Sequence, residues 1–582
     1  MKKQFTILVG IIIFVCVLLI STDSLAQGVA INSTGSAADN SSMLDVASTS
    51  KGILIPRMTK TQRNDISSPI KGLMIFQNDS ISGYYYYNGA SWEIISDGAF
   101  AINNLADGKT AGTSIFLGSG AGFNDNGTDY ENVAVGDSAL YNNGLGASFP
   151  GDATFNTAIG PKSLYSNTTG YQNTSIGAWS LLDNITGTDN VAIGNQSLQY
   201  NTTGHQNTAV GSFSLIGNES GYGNTAIGNA SLYSNITGYN NTACGIQSLL
   251  NNTNGHHNTA SGFQSLYSNT TGEKNVAIGD QSLYSFITGG MNTAIGYQSL
   301  FSNIGNQNTA TGYQSLYSNT VGTANLADGY QALLSNTSGN FNTASGFGAL
   351  NSNTTGGYNT ATGISSLNFN TTGNSNTAVG REALYANKIG NNNTAVGYWA
   401  GPNTGTDNLS NTTALGNSAK PLADNQVRIG NSSVTSIGGY TSWTNLSDKR
   451  FKKYINNNIP GLDFILQLKP VSYQLDIEKL NDFIGIPDSL QNNEFDKRSA
   501  MEKEAIIQTG FIAQDVEKAA QSLGFDFSGV DTPKNKNDHY GLRYAEFVVP
   551  LVKAVQELAE INKAQNIIIE DLKTRIEEMG EK

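Results

Sequence analysis

The stretch NTAIGNASLYSNITGYN, beginning at Asn224, is followed at Asn241 by NTACGIQSLLNNTNGHH. The same frame opens at Asn156, Asn173, Asn190, Asn207, Asn258, Asn275 and Asn292. A one-residue deletion moves the next copy to Asn308, and Asn325, Asn342, Asn359, Asn376 and Asn393 follow. Asn132 opens an earlier copy, set apart by an insertion around Leu145 to Phe155. The period is 17 and the copies number sixteen. A chain repeated at so short a period folds as a stack, because one copy cannot bury its apolar face except against the next.

Comparing copies shows what each slot needs. Slot 1 is always Asn and slot 5 always Gly; slot 3 is Ala, once Ser (Ser175); slot 9 is Leu from Leu140 to Leu384; a Gly recurs at slot 15. Slot 4 holds Ile159 or Val210 in some copies but Thr311, Asp328 or Thr362 in others, so it is not uniformly buried. The Leu slot predicts a continuous column, and the invariant Asn a hydrogen-bonded ladder between coils. Two Gly and several Asn, Ser and Thr per copy oppose helix. Two short extended segments, T-A-I and S-L-Y, separated by Gly and Asn turns, predict a β-solenoid coil. A buried Leu contributes about 1.5–3 kcal/mol, whereas ordering each residue's backbone costs about 1–2 kcal/mol. Stability is therefore expected from stacking, and from two further chains covering the apolar edges. Near-identical coils also invite register slips, so the fold needs a device that sets its register.

The coil resembles the head repeats of trimeric autotransporter adhesins and the shaft repeats of phage tail-fibre-like proteins. That resemblance implies a trimeric parallel β-roll.

Charge divides the chain. From Asn132 to Ser410 there are four cations, Lys162, Lys274, Arg381 and Lys388; from Ser447 to Lys582 there are eighteen. The two regions are built on different principles. The net charge of −13 disfavours nucleic acid and anionic lipid as partners. Lys2 and Lys3, the mostly apolar Phe5 to Ile20 and the small residues Ser24-Leu25-Ala26 predict a secretory signal cut after Ala26; an uncleaved membrane anchor is the rival, but the apolar core is short for a span of about 20 residues. Cys16 then leaves with it and Cys244 is the one thiol remaining. A secreted or surface location follows, with no membrane span after signal removal. Between Gln27 and Asp125, short β-like runs such as Gly72 to Gln77 and Tyr84 to Tyr87 resemble N-terminal segments of tail-fibre-like proteins. A hairpin with half-buried aromatics is expected for Tyr84–Tyr87 with Trp92; stacking on sugar rings is the alternative.

At WTNLSDKRFKKYI, residues 443–455, four Lys or Arg arrive within six positions of Ser447. Downstream come LDFILQLKPVSYQL, TGFIAQDVEKAA and YGLRYAEFVVPLVKAVQELAEI. Together these resemble the C-terminal intramolecular chaperone auto-processing domain of tail spikes, endosialidases and certain membrane-released transcription factors. The resemblance implies a domain that trimerises, sets the register of the rod upstream and cuts itself off. By motif position it implies Ser447 as nucleophile, Lys452 as base and Leu446–Ser447 as the scissile bond. A Ser hydroxyl needs a base, and Lys serves when desolvation or a neighbouring cation lowers its pKa; Arg450 and Lys453 are placed to supply that field. Ser447 and Lys452, five apart, are off-face on a helix, so a turn or a neighbouring subunit must join them. Asp448 is expected to cap a helix start rather than orient Lys452. Gln514 and Tyr544 are expected in core hydrogen bonding, and His539 has no assigned role. An insertion between Leu480 and Thr509 reads as a surface excursion. The tail reads as a heptad seam, with Val548, Val555, Asn562, Ile569 and Ile576 in one column and Leu551, Leu558, Gln565, Leu572 and Met579 in the other.

The expected class is mainly β: a trimeric β-solenoid or β-roll, then a small α+β chaperone domain and a coiled-coil helix. The expected divisions are a signal at 1–26, a β-rich attachment region at 27–125, the repeats at 126–410, a closing segment at 411–446, the chaperone at 447–546 and the helix at 547–582. The function expected is a secreted or surface homotrimeric fibre, adhesin-like, matured by self-cleavage, with a surface glycan or host receptor as ligand. A glycan-degrading tail spike using the same chaperone is the alternative, but the rod has few acids and none recur at a fixed slot. An ice- or mineral-binding array of slot 2 Thr is interrupted by Val191 and Leu326. No cofactor or metal motif is visible.

Overall fold

The computed structural model describes residues 29–38, 42–95, 108–125, 131–149, 151–402, 408–441, 443–491 and 494–580. The expected signal peptide lies outside them. The chain divides into two compact units, one up to Leu105 and one from Ala106 on.

In the first unit, Val29–Asn32 pairs in parallel with Leu44–Ala47. A four-stranded sheet follows, ordered Arg57–Met58, Met74–Gln77, Gly83–Tyr87, Trp92–Ile95, its last two pairings antiparallel. The tyrosine run is thus a hairpin strand. Its Tyr85 is buried against the Arg63 guanidinium, 4.6 Å from the ring centre, and Tyr87 packs on Trp92 at 5.5 Å.

The second unit opens with a solenoid. Nineteen strands, from Ser114–Leu117 to Val427–Ile429, form one parallel ladder in sequence order, one strand per coil. At about 4.8 Å per rung the ladder runs roughly 85 Å. The T-A-I segment is the strand, with partners 17 residues apart, as for Thr157 and Thr174. The ladder extends past the repeats: Phe116 takes the Ala slot at its start and Arg428 at its end. Phe116 is buried there beneath the Lys109 ammonium, 5.5 Å away.

The S-L-Y segment, expected as a second extended run, is a turn. Every slot 9 Leu has a left-handed backbone, φ between +48° and +53°, and none is exposed to solvent. That conformation costs roughly 1–2 kcal/mol for an L-residue; burying the side chain offsets it. The turn still bonds from coil to coil, Leu164 N–H to the Ser180 carbonyl at 3.0 Å and Ser166 N–H to Leu182 at 2.9 Å. The extended reading fails here because the coil must reverse within a few residues, and Leu is aimed inward by the bend. Slot 5 has the other fixed constraint. A Cβ on Gly211, at φ +133°, would lie 2.6 Å from the Gly228 carbonyl oxygen of the next coil, so only glycine permits the spacing.

The predicted Asn ladder is present. Asn173 donates its backbone N–H (3.0 Å) and Nδ2 (3.2 Å) to Asn156 Oδ1, and Nδ2 also to the Gly187 carbonyl (2.9 Å). A second ladder, at slot 12, was not anticipated. Asn184 Nδ2 reaches Asn167 Oδ1 at 2.8 Å and the Gly187 carbonyl at 3.0 Å, and the pattern continues. Burial in a dry interior requires each amide to be satisfied. Phe286 occupies slot 12 of one coil, fully buried, and Asn269 Oδ1 in the preceding coil is left without a partner.

Past the last rung the fold becomes α+β. Val471–Tyr473 pairs antiparallel with Gln508–Gly510, and Ala513–Ser522 is an amphipathic helix burying Val516, Ala519 and Ala520. These pack with Phe464, Phe527 and Phe547 as a separate small core. The insertion is not a free surface excursion: its helices Ile477–Phe483 and Glu494–Glu504 reach back to the rod. Asn481 Oδ1 accepts from Ser432 Oγ, and Lys503 Nζ donates to the Val434 carbonyl at 2.7 Å. Asn535 Nδ2 bonds the Leu422 carbonyl at 2.8 Å nearby. The chain ends in a 33-residue helix, Val548–Gly580. No helix among the described residues is long and apolar enough to cross a membrane.

Candidate functional site

The cluster of charge after Trp443 folds as a short hook. Ser447 precedes a single 3-10 turn, Lys449–Phe451, and Lys452 ends it in extended conformation. Asp448 is the N-cap: its Oδ1 accepts the Arg450 N–H at 2.9 Å. Because the backbone is extended at Asp448 and at Lys452 on either side of this tight turn, the chain doubles back and the five-residue spacing closes. Lys452 Nζ lies 2.9 Å from Ser447 Oγ, within hydrogen-bond reach. Of the two routes expected, a turn or a neighbouring subunit, the turn is present within one chain.

The electrostatics differ from expectation in one respect. The Arg450 guanidinium binds Asp448 Oδ2 through Nε at 3.0 Å and Nη2 at 2.7 Å. Its charge is therefore neutralised locally, and Lys453 is left as the other of the two expected cations. That bidentate contact, aided by the Arg450 backbone N–H, holds the Asp448 carboxyl below the usual carboxylate range; the Arg450 pKa is raised in turn. Ser447 and Lys452 are solvent-exposed in the single chain, and Leu446 is 80% exposed.

Gln514 and Tyr544 lie elsewhere. Gln514 is exposed on the first turn of its helix, not in a core hydrogen bond. The Tyr544 hydroxyl accepts the Phe511 N–H at 3.1 Å, tying the strand exit to the start of the terminal helix. Both line an open groove of about 430 Å³, with Tyr473 and His539; neither Ser447 nor Lys452 borders it. The expected heptad residues stand exposed along the terminal helix, Leu551 at 50% and Ile569 at 48%, so the seam is unpartnered in one chain.

One residue with perturbed chemistry escaped the sequence reading. Lys420 is buried at the rod's end. Its Nζ sits 3.5 Å from the centre of the Trp399 ring and donates to the Trp399 carbonyl at 2.8 Å. Desolvation pushes its pKa down to about 7, against the opposing pull of Glu382. Only the fact that it follows the last full coil could have marked it.

Residues 447–525 match the family model described as chaperone of endosialidase, and the match begins at Ser447 itself. Residues 30–112 match the model for a phage tail like trimerisation region. No curated protein and no solved structure matches the chain. The chain is a trimeric fibre-like protein whose β-solenoid stands in sequence between a phage tail-like trimerisation region and a C-terminal chaperone of the endosialidase type.

Proposed function

We propose that this is an exported surface or secreted fibre whose C-terminal domain gathers three chains, aligns their coils and then severs the Leu446–Ser447 bond. The observation that carries the reading is the 2.9 Å approach of Lys452 Nζ to Ser447 Oγ at the first residue of the chaperone match. Lys452, as the free amine, takes the Ser447 hydroxyl proton, and Oγ attacks the Leu446 carbonyl carbon. The tetrahedral intermediate expels the Ser447 nitrogen, which takes the proton back from Lys452. An ester between Leu446 and Ser447 Oγ remains, and water hydrolyses it to a Leu446 carboxylate and a fragment beginning at Ser447. Removing an amine from water favours its uncharged form. Assembly that covers the exposed hook would thus couple cutting to completed trimerisation. The exposed heptad residues of Val548–Gly580 support a coiled coil that holds the three chaperones together.

The test is the mass and N-terminal residue of each fragment after expression of the full chain. Two fragments are expected, the smaller beginning at Ser447, with Ser447→Ala and Lys452→Ala each leaving one intact band. Intact wild-type protein after complete folding would refute the proteolytic part. The adhesin role rests on the exposed rod surface and the exported location, and binding of surface glycans or host receptors by the purified fibre is its test.

A further inference from the structure

Slots 4 and 6 flank the slot 5 glycine, and large side chains there stand at the surface of the single chain. Ile176 is 36% exposed, Ile227 42%, Tyr313 41% and Phe347 55%. Exposed apolar residues are ordinary when scattered; these are coordinated. Where slot 4 is aliphatic, slot 6 is small or polar: Ile176 goes with Ala178, Val210 with Ser212, Ile227 with Asn229. Where slot 6 is bulky, slot 4 shrinks: Ser261 goes with Phe263, Thr311 with Tyr313, Ser345 with Phe347. From Leu117 with Ser119 to Ile429 with Asn431, none of the nineteen rungs lacks a Val, Ile, Leu, Phe or Tyr at one of the two positions. Only the rungs of Ile295 with Tyr297 and Val396 with Tyr398 have two.

Inside one chain the slot 6 rings of Tyr297, Tyr313, Tyr330 and Phe347 stack coil on coil at 4.9–5.4 Å, which favours a run of aromatics there but does not ask slot 4 to shrink beside them. The columns that hold the coil together, Ala, Leu and Asn, are near-constant, and water accepts polar residues at both flanks. A surface that repeats with the same pitch does ask for it, and three parallel copies of this chain present such a surface with equal rungs level.

We infer that the glycine corner is the contact between copies in the homotrimer, the slot 4 flank of one copy packing on the slot 6 flank of the next. Around a three-fold axis two different flanks must meet. Each layer of the contact then holds one slot 4 and one slot 6 side chain. Close packing keeps their summed volume nearly constant, a large residue facing a small one. The alternating pairs have that property. A contact of slot 4 with slot 4 would instead crowd three Asp328 carboxylates together, whereas the heterologous contact sets Asp328 against the tyrosine of slot 6. A strip roughly 85 Å long and two residues wide, about 7 Å, covers on the order of 600 Å². That is at the upper end of what a monomer leaves exposed and near the roughly 800 Å² each partner gives a standard interface. The inference rests on the trimer and is independent of the cleavage reaction.

Native Cys244, free and exposed at slot 4, provides the test. The full chain is made with Cys16→Ser, with and without Ile246→Cys, purified as the native oligomer, oxidised and run on a non-reducing denaturing gel. Thiols join only when their Cβ atoms approach within about 4.5 Å. Covalent trimers are expected with Ile246→Cys, and monomers alone from the parent. Dimers from the parent would mean that slot 4 meets slot 4, and would overturn the arrangement. Monomers from both, or a bond closed within one chain by mass spectrometry, would show that the corner faces another partner or solvent, and would overturn it too. Ser345→Cys with Phe347→Cys in a Cys244→Ser chain repeats the measurement at a second rung, should the first variant fold poorly.

Discussion

Asn218→Ala tests what holds the coils together. Asn218 is fully buried. Its Nδ2 donates to Asn201 Oδ1 at 2.7 Å and to the Gly221 carbonyl at 3.0 Å, and its Oδ1 accepts from Asn235 Nδ2 at 2.7 Å. Alanine removes all three bonds, each worth about 1 kcal/mol net. The Gly221 carbonyl keeps the bond from Asn207 Nδ2, and Asn235 Nδ2 keeps the one to Gly238. Asn201 Oδ1 keeps no hydrogen-bond donor from slot 12, and a stranded buried acceptor costs a further 1–3 kcal/mol or so. The total is about 4–6 kcal/mol at one rung. In a stack stabilised mainly between neighbours, that loss divides the solenoid into two blocks. Chemical denaturation followed by circular dichroism is expected to split or shift to lower midpoint, with new protease sensitivity near residue 218. Asn254→Ala is the control: Asn254 is exposed, lies away from the glycine corner, and accepts from the exposed Thr237 hydroxyl at 3.0 Å. If both variants unfolded like the parent, the claim that buried amide ladders carry the stacking energy would be wrong.

Two further perturbations probe the charged ends of the unit. Lys420 binds its proton less tightly folded than unfolded; between about pH 7 and pH 10.5 the unfolded chain holds a proton the folded chain lacks, so stability rises with pH across that window, and below it the full penalty persists. From the drop to about 7, the penalty is at most about 5 kcal/mol. Lys420→Met should therefore stabilise the rod by about 1–4 kcal/mol at pH 6 and by less at pH 9.5; an equal gain at both pH values would count against a desolvated amine. The Asp448 carboxyl is lowered by its bonds to Arg450, so its contribution to the hook is complete above the ordinary range near pH 4 and lost as pH falls through the lowered value. Hydrogen exchange of residues 448–452, corrected for intrinsic rates, should open only under acid in the parent and be open at neutral pH in Asp448→Ala; a closed hook in that variant would show that the cap is not Asp448.

Much of the solenoid is legible because repetition turns one chain into its own alignment. The constancy of slots 1, 3, 5 and 9 marks the Asn, Ala, Gly and Leu columns from the order of residues alone. The slot 12 ladder was equally repetitive, but Asn in an Asn-x-Thr triplet reads equally as a turn residue, and Phe286 breaks the series. The S-L-Y turn is not legible in the sequence because a short extended run and a tight reversal can place the same Leu inward. In the chaperone, spacing alone left Ser447 and Lys452 unconnected, whereas the Asp448 cap was visible as an acid preceding a short cationic run. The pairing of Arg450 with Asp448 was not legible, since side-chain direction in an exposed turn is set by geometry rather than by residue type.

What the chain's order of residues settled alone was the pitch, the identity of the buried columns and the change of construction at Trp443. A period of 17 with invariant Gly and Asn leaves no compact alternative to stacking. What needed three dimensions was how the coil turns, which amides meet and which lysine is buried. Those depend on where a backbone reverses and on what neighbours, far apart in sequence, deny to water. The insertion shows the difference most clearly: in sequence it reads as a surface excursion, and only the folded chain reveals that Asn481 and Lys503 bond to Ser432 and Val434 just past the last rung.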